Sequence, residues 1–246
     1  MFLRIVHVLL ICFKVSNSLE WRVFDGQDLR YDVHSYLVKL ELYTYYNNIG
    51  TCSGSIISSS WIITSAHCIQ PNLHTIIVLQ KTRYKMEFIG YITIYDAYVH
   101  PDFKLNIDTM PNREKDIALL YVREEIKFNR YMKPIRLSRM RPKIGDTGII
   151  AGFGETEINL TTPREGIAVI DTCPNASGER TRNICTIGPV RAGPGDSGGP
   201  LIYKGKLVGL ISGGCMDVRT NNMCITVYTS VERNIEWILD VVSNVE

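Results

Sequence analysis

The chain has 246 residues, 45% of them apolar and 21% charged, which excludes a disordered or collagen-like polymer and allows one large domain or two small ones. At this length most of the unfolded surface can be buried without relying on disulfides. The formal charge is only +2, so the composition offers neither a nucleic-acid footprint nor a polybasic membrane anchor.

The first eighteen residues hold Arg4 and Lys14, no acid, and an apolar run from Ile5 to Phe13 broken only by His7. Ser16 and Ser18 place small residues at positions −3 and −1 of a cut after Ser18, the pattern of a removable secretory signal. A membrane anchor would need about twenty apolar residues, and this run is too short. Residues 1–18 are therefore expected as a signal peptide, and the protein as secreted and extracellular. Without them, acids and bases balance.

Of seven cysteines, Cys12 lies in the signal, leaving Cys52, Cys68, Cys173, Cys185, Cys215 and Cys224. An even number in an oxidising compartment suggests three disulfides. Neither Cys-x-x-Cys nor His-Glu-x-x-His occurs, so no metal and no cofactor are expected. Two sequons, at Asn159 and Asn175, fit a secreted glycoprotein.

Short apolar or alternating segments follow in chain order at 36–42, 55–57, 61–64, 75–79, 88–95, 117–122, 147–151, 201–203, 206–212 and 224–229. Many are rich in Ile, Val and Tyr, and their lengths suit strands better than helices. Val231, Ile235, Ile238, Val242 and Val245 instead step by four and three, drawing one apolar stripe on a C-terminal helix. The expected fold class is all-β with a closing helix. There is no repeat, low-complexity tract or charge block.

Three segments carry chemistry. Gly195-Asp196-Ser197-Gly198-Gly199-Pro200 could be a plain surface turn, but its glycines also permit a tight bend that exposes a serine oxygen and turns backbone N–H groups toward a reacting carbonyl. Trp61-Ile-Ile-Thr-Ser-Ala-His67-Cys68 ends an apolar strand in a His beside a half-cystine. A lone His is more often structural, and His7, His34, His74 and His100 are read that way. Asp116-Ile-Ala-Leu-Leu puts an acid at the head of a strand, while Asp102 and Asp108 read as loop acids.

Together these segments resemble the chymotrypsin-like (trypsin-type) serine peptidases, which carry His, Asp and Ser in this order. The resemblance runs from about Arg22 to the C-terminal helix. It implies two six-stranded antiparallel β-barrels, about 23–125 and about 126–246, with a boundary near Glu124–Arg130 and a cleft between them. It implies that Ser197 attacks the scissile carbonyl, His67 moves the proton and Asp116 orients the imidazole, with the N–H groups of Gly195 and Ser197 as the oxyanion hole. Arg22-Val-Phe-Asp-Gly resembles a zymogen activation site: residues 19–22 would be a short propeptide, and the new Val23 ammonium would pair with Asp196. The family usually has Gly where Asp25 stands.

The resemblance also pairs Cys52 with Cys68 and Cys173 with Cys185. The family's bridge from four residues before the serine cannot form because that position is Gly193, which leaves Cys215 and Cys224 for each other. Arg191 stands where trypsin-like members have the Asp that receives a basic side chain, which argues against cleavage after Lys or Arg. Ser212-Gly213-Gly214 resembles the substrate-binding Ser-Trp-Gly segment with the Trp absent, and Thr226 replaces a frequent Gly and would narrow the pocket. The stretch 68–86 has no Asp or Glu for calcium.

The implied partners are a peptide or protein substrate, an activating trypsin-like protease and protein inhibitors. No nucleic acid and no membrane are expected, and a monomer is the default. The intact triad argues against a non-catalytic homologue acting as a binding protein, whereas Gly213 and Arg191 argue for one. An esterase-like hydrolase is a third reading that nothing favours.

Overall fold

The computed structural model describes residues 23, 26–29, 32–104, 113–154, 162–173, 182–217 (backbone alone for 215–217) and 224–245. The expected signal peptide, Arg22, Asp108 and both sequons lie outside them.

The chain enters through β1 (Gln27–Asp28), whose partner comes far later. Period-two alternation then builds the first sheet. In β2 (Leu37–Tyr43) Val38, Leu40 and Leu42 turn inward, while Lys39 and Glu41 face out and pair at 2.7 Å. It is joined by β3 (Asn48–Ile56), β4 (Trp61–Thr64), β5 (Thr75–Lys81), β6 (Met86–Thr93), β7 (Ala97–Val99) and β8 (Ala118–Tyr121) in the order β6-β5-β2-β3-β4-β8-β7.

The strand expected at 88–95 stops at Thr93, and a 3-10 turn at Ile94–Asp96 re-aims the chain. The part before the turn pairs with β5 and the part after it with β8, so one bent strand wraps both ends of a six-stranded barrel. Arg123 pins the bend with two-pronged hydrogen bonds to Asp96, and these hold its carboxyl below the usual carboxylate range.

Residues 122–146 lead to the second sheet, and the expected boundary lies inside this link. It comprises β9 (Thr147–Gly152), β10 (Arg164–Asp171), β11 (Ile184–Gly188), β12 (Pro200–Tyr203), β13 (Lys206–Asp217) and β14 (Cys224–Ser230). Its order is β1-β10-β11-β14-β13-β12-β9, and β9 pairs back onto β10, closing six strands into a ring. β1 hangs on this ring through the pairs Gln27–Glu165 and Asp28–Arg164, so the two residues of β1 hydrogen-bond with the second sheet. Each sheet thus counts seven segments among the described residues, around a six-stranded core.

β1, β7, β10 and β11 match none of the segments expected as strands. Arg164–Asp171 lacks clean alternation, because Glu165 and Gly166 are buried inside it. β14 is buried along its whole length, since its two faces are covered by different parts of the fold. It runs directly into α1 (Val231–Asn244).

The helix docks as its stripe predicts. Val231, Ile235 and Ile238 pack among Trp61, Ile63, Ile117 and Leu119 of the first barrel and Leu207 and Leu210 of the second. Burying each such side chain contributes about 1.5–3 kcal/mol, so the helix ties the two barrels together. Asn234 extends the tie: its amide donates to the Glu114 and Ser230 carbonyls, and its oxygen accepts from Lys115 Nζ at 3.1 Å. This fixes the short turn Arg113–Lys115 that precedes Asp116. Among the described residues no helix is long and apolar enough to cross a membrane.

Candidate active site

Asp116 follows that turn, two residues before β8, with no exposed surface. A buried carboxylate must be given donors, and this one has three. The His67 backbone N–H reaches Oδ1 at 2.9 Å, and His67 Nδ1 and the Ser212 hydroxyl reach Oδ2 at 2.7 and 2.5 Å. A carboxylate accepts only, so Nδ1 carries the proton and the Nε2 lone pair is left for the cleft. The imidazole side chain is 26% exposed, on the open side of a contact whose other member is sealed.

The His67 turn is rigid for local reasons. It is a single 3-10 turn, Ala66–Cys68, and the Cys52–Cys68 disulfide staples it to β3 across 16 residues. In the chain-entropy account a loop of that size contributes about 3 kcal/mol. Cys173–Cys185 is the second bridge, as expected. Cys224 is also disulfide-bonded, while the side chain of Cys215 lies outside the described residues.

Ser197 comes from the other barrel, in the bend between β11 and β12. The bend needs left-handed backbone at Gly195 (φ 90°) and Gly198 (φ 79°), and a Cβ on Gly198 would fall 2.0 Å from the Thr64 hydroxyl. What holds this bend against the His67 side is Ser53, a fully buried residue of β3 that the sequence reading passes over. Its N–H donates to the Ser197 carbonyl at 2.7 Å and its hydroxyl to the Gly195 carbonyl at 2.9 Å, while that hydroxyl accepts from the Phe153 N–H. Ser65 adds a bond from its hydroxyl to the Ile211 carbonyl, the same carbonyl that accepts from the Gly198 N–H. A seam of small polar side chains therefore stitches the bend of one barrel to the β3–β4 end of the other.

Asp196 is buried as completely as Asp116 but is furnished differently. Its oxygens accept from the backbone N–H groups of Gly154 and Gly193, at 2.7 and 2.9 Å. Burial pushes its carboxyl up to about 6, against the pull of those two donors. Val23 is fully buried and belongs to the hydrophobic cluster of the second barrel that also includes Ala192 and Tyr228.

The remaining expected residues line one region. Thr226 is fully buried and accepts the Ala192 N–H at 3.1 Å. Across the ladder Thr186 meets the hydroxyl of Tyr228, a buried ring the sequence reading did not single out. Burial raises that phenol's pKa. Gly214 runs so close to Ala192 that a Cβ on it would fall 2.4 Å from the Ala192 carbonyl oxygen. Arg191 is half-buried at the start of this segment.

With this geometry in view, the comparisons with known proteins are consistent among themselves. Residues 25–238 match the family model for trypsin. Trypsin epsilon of Drosophila erecta is 30% identical over 237 residues, covering 90% of this chain and 88% of that protein. The chymotrypsin-like protease VLCTLP of Macrovipera lebetinus is 24% identical, over 97% of this chain and 94% of its own. A solved structure described as GrC overlays with a TM-score of 0.72 at 23% identity, covering 89% of this chain and 99% of that one, which shows a shared fold.

Proposed function

The chain belongs to the trypsin family of serine proteases, and from that premise we propose that it is a secreted serine endopeptidase made as a zymogen. The observation that carries this reading is the Asp116–His67–Ser212 contact set, held beside a Ser197 bend locked from the same barrel by Ser53.

The steps follow from the groups present. Ser197 Oγ attacks the scissile carbonyl as His67 Nε2 takes its proton, and Asp116, already bonded to Nδ1, stabilises the imidazolium. The oxygen of the tetrahedral intermediate takes the N–H groups of Gly195 and Ser197, each such donor typically worth about 2.7–4 kcal/mol. His67 then protonates the leaving amine, and water releases the acyl group by the same path in reverse.

The zymogen part rests on Asp196 and Val23. Two backbone donors leave the Asp196 carboxyl still raised to about 6, so it lacks full compensation in the uncut chain. Cleavage after Arg22 by a trypsin-like protease would free an ammonium on Val23, whose side chain already belongs to the core beside Ala192. An ion pair there would bring the carboxyl back into the ionised range and order the adjoining oxyanion segment.

Substrate preference departs from trypsin. Arg191 replaces the acid that would receive a basic side chain, Thr226 fills pocket space, and Gly214 and Ala192 run close together. A basic residue before the scissile bond would meet like charge in a narrow slot. The protein acts on peptides as a monomer and is open to protein inhibitors.

Peptide and matched ester substrates, offered to the Arg22-cleaved protein and to its Ser197→Ala variant, test the reading. Peptide hydrolysis is expected in the first and none in the second. Absence of hydrolysis despite confirmed cleavage would favour the alternative, a binding homologue, and ester turnover alone would favour an esterase.

A further inference from the structure

Outside the catalytic contacts, a second set of acid, imidazole and hydroxyl lies where the chain passes from β1 to β2. Glu165 Oε2 accepts from His34 Nε2, and His34 Nδ1 meets the Tyr36 hydroxyl at 2.5 Å. A carboxylate only accepts, so Nε2 carries a proton, whereas a hydroxyl donates or accepts and satisfies Nδ1 in either charge state. His34 and Glu165 are both buried, and burial together with the Glu165 charge raises the pKa of the Tyr36 phenol. Two sealed ionisable groups in contact are costly to separate, because each would be left buried without its partner.

Glu165 also grips the other end of this crossing. Its Oε1 accepts from Gln27 Nε2 at 3.2 Å, so one carboxylate holds the chain at two points seven residues apart. β1 has little else to hold it: it makes two pairs with β10, and both of its residues are exposed. Beyond it, Leu29 shares a buried cluster with Leu37, Ala151 and Phe153. Ahead of it lies Val23. The Gly26 N–H closes onto the Val23 carbonyl at 2.8 Å, and a Cβ on Gly26 would fall 2.5 Å from the Glu165 carbonyl oxygen, so this turn rests on the Glu165 backbone. The neighbouring charges are Arg164, which donates to the Gly26 carbonyl, and Asp28, 3.8 Å from the same guanidinium.

We propose that Glu165, acting through His34 and Gln27, is a positioning residue for the activation arm: it fixes the end of the tether that carries the freed Val23 ammonium to Asp196, and so sets how fully the cut chain is switched on. The inference rests on the zymogen reading of that site. Val23 precedes β1 by four residues, Leu29 by six and β2 by fourteen. Effective concentration at the end of a tether falls as about the three-halves power of its length. Release of β1 alone therefore lowers the insertion of Val23 about twofold, and release of Leu29 with it about sixfold.

The test reads the Val23 amine directly, in the Arg22-cleaved chain carrying Ser197→Ala so that it cannot digest itself. Trinitrobenzenesulfonate labels an accessible, uncharged amine, and peptide mapping gives its rate at Val23, with the exposed Lys206 as internal reference. Adding Glu165→Ala should speed labelling of Val23 about two- to sixfold while Lys206 is unchanged. His34→Ala, which leaves the carboxylate sealed with Gln27, should do at least as much, and His34→Gln, which keeps a donor for Oε2, should restore most of the protection. With Ser197 in place, the same variants should lower the alkaline midpoint of peptide hydrolysis by about 0.3–0.8 pH unit, because activity is lost as the inserted ammonium deprotonates and each tenfold in insertion moves that midpoint by about one unit. A merely structural role lowers the yield of active protein and leaves the midpoint where it was. Slow labelling of Val23 that stays equally slow in Glu165→Ala overturns the proposal and leaves the zymogen reading standing; if His34→Ala does not fold, Glu165→Ala decides alone. Labelling as fast in the folded cut chain as in urea means that no ammonium is inserted, and then both fall.

Discussion

Asp116 and Asp196 are both sealed from solvent, one in each barrel, yet they are furnished differently. Asp116 takes three donors, one of them an imidazole able to carry charge. Asp196 takes two backbone N–H groups and is otherwise left to burial, which drives its carboxyl up to about 6. Burial alone therefore says little about a carboxylate; the inventory of donors decides. A fully furnished acid can orient a base through every turnover, whereas an under-furnished one waits for a partner and can act as a switch.

The sharpest way to break this comparison is Asp116→Asn. With an amide donating toward Nδ1 the imidazole is held in the wrong tautomer, and kcat should fall on the order of 10⁴-fold with KM nearly unchanged. A loss below tenfold in steady-state kinetics would mean that the contact is only structural.

The second probe is the pH dependence of the uncut chain. A carboxyl raised from 3.8 to about 6 keeps more protons in the folded state than in the unfolded one across that window. Stability is therefore lost as pH rises through it, by about 3 kcal/mol in total. Urea midpoints of uncut Ser197→Ala protein, minus those of the same chain with Asp196→Asn, should show this fall between pH 4 and 6.5. After cleavage at Arg22 the difference should flatten, because the ammonium supplies the missing partner.

Smaller effects test the furnishing itself. Ser53→Ala removes a buried hydroxyl that serves both Gly195 and Phe153, and should cost roughly 1–3 kcal/mol of stability in thermal or urea melts. Ser212→Ala withdraws one of the three donors of Asp116 and should lower kcat only several-fold, about 1 kcal/mol, because two donors remain. If Ser212→Ala matched Asp116→Asn in its effect, the shared furnishing of that carboxylate would not be as drawn.

The parts legible in the sequence are those whose cause is local. A half-cystine next to a His, glycines around Ser197 and an acid heading an apolar strand are each visible in a few consecutive letters, and the stripe on α1 follows from its periodicity. The parts it did not reach are approaches between distant segments. Ser53 meets Gly195 across 142 positions, and Arg113 meets the Ser212 carbonyl across 99. Neither leaves a pattern in its own neighbourhood. β10 escaped notice because a strand with Glu165 and Gly166 buried within it does not alternate. The segment expected at 88–95 runs two residues past the end of β6 because nothing local announces the 3-10 turn that Arg123, just beyond β8, holds.

The switch proposed at Asp196 is read most directly from the stoichiometry of fluorophosphonate adduct on Ser197, by intact mass before and after cleavage at Arg22. Almost no adduct is expected on the uncut chain, close to one per molecule after the cut, and none in Ser197→Ala. Equal labelling of cut and uncut protein would contradict the role given to Asp196, and no labelling after complete cleavage would contradict the active site itself.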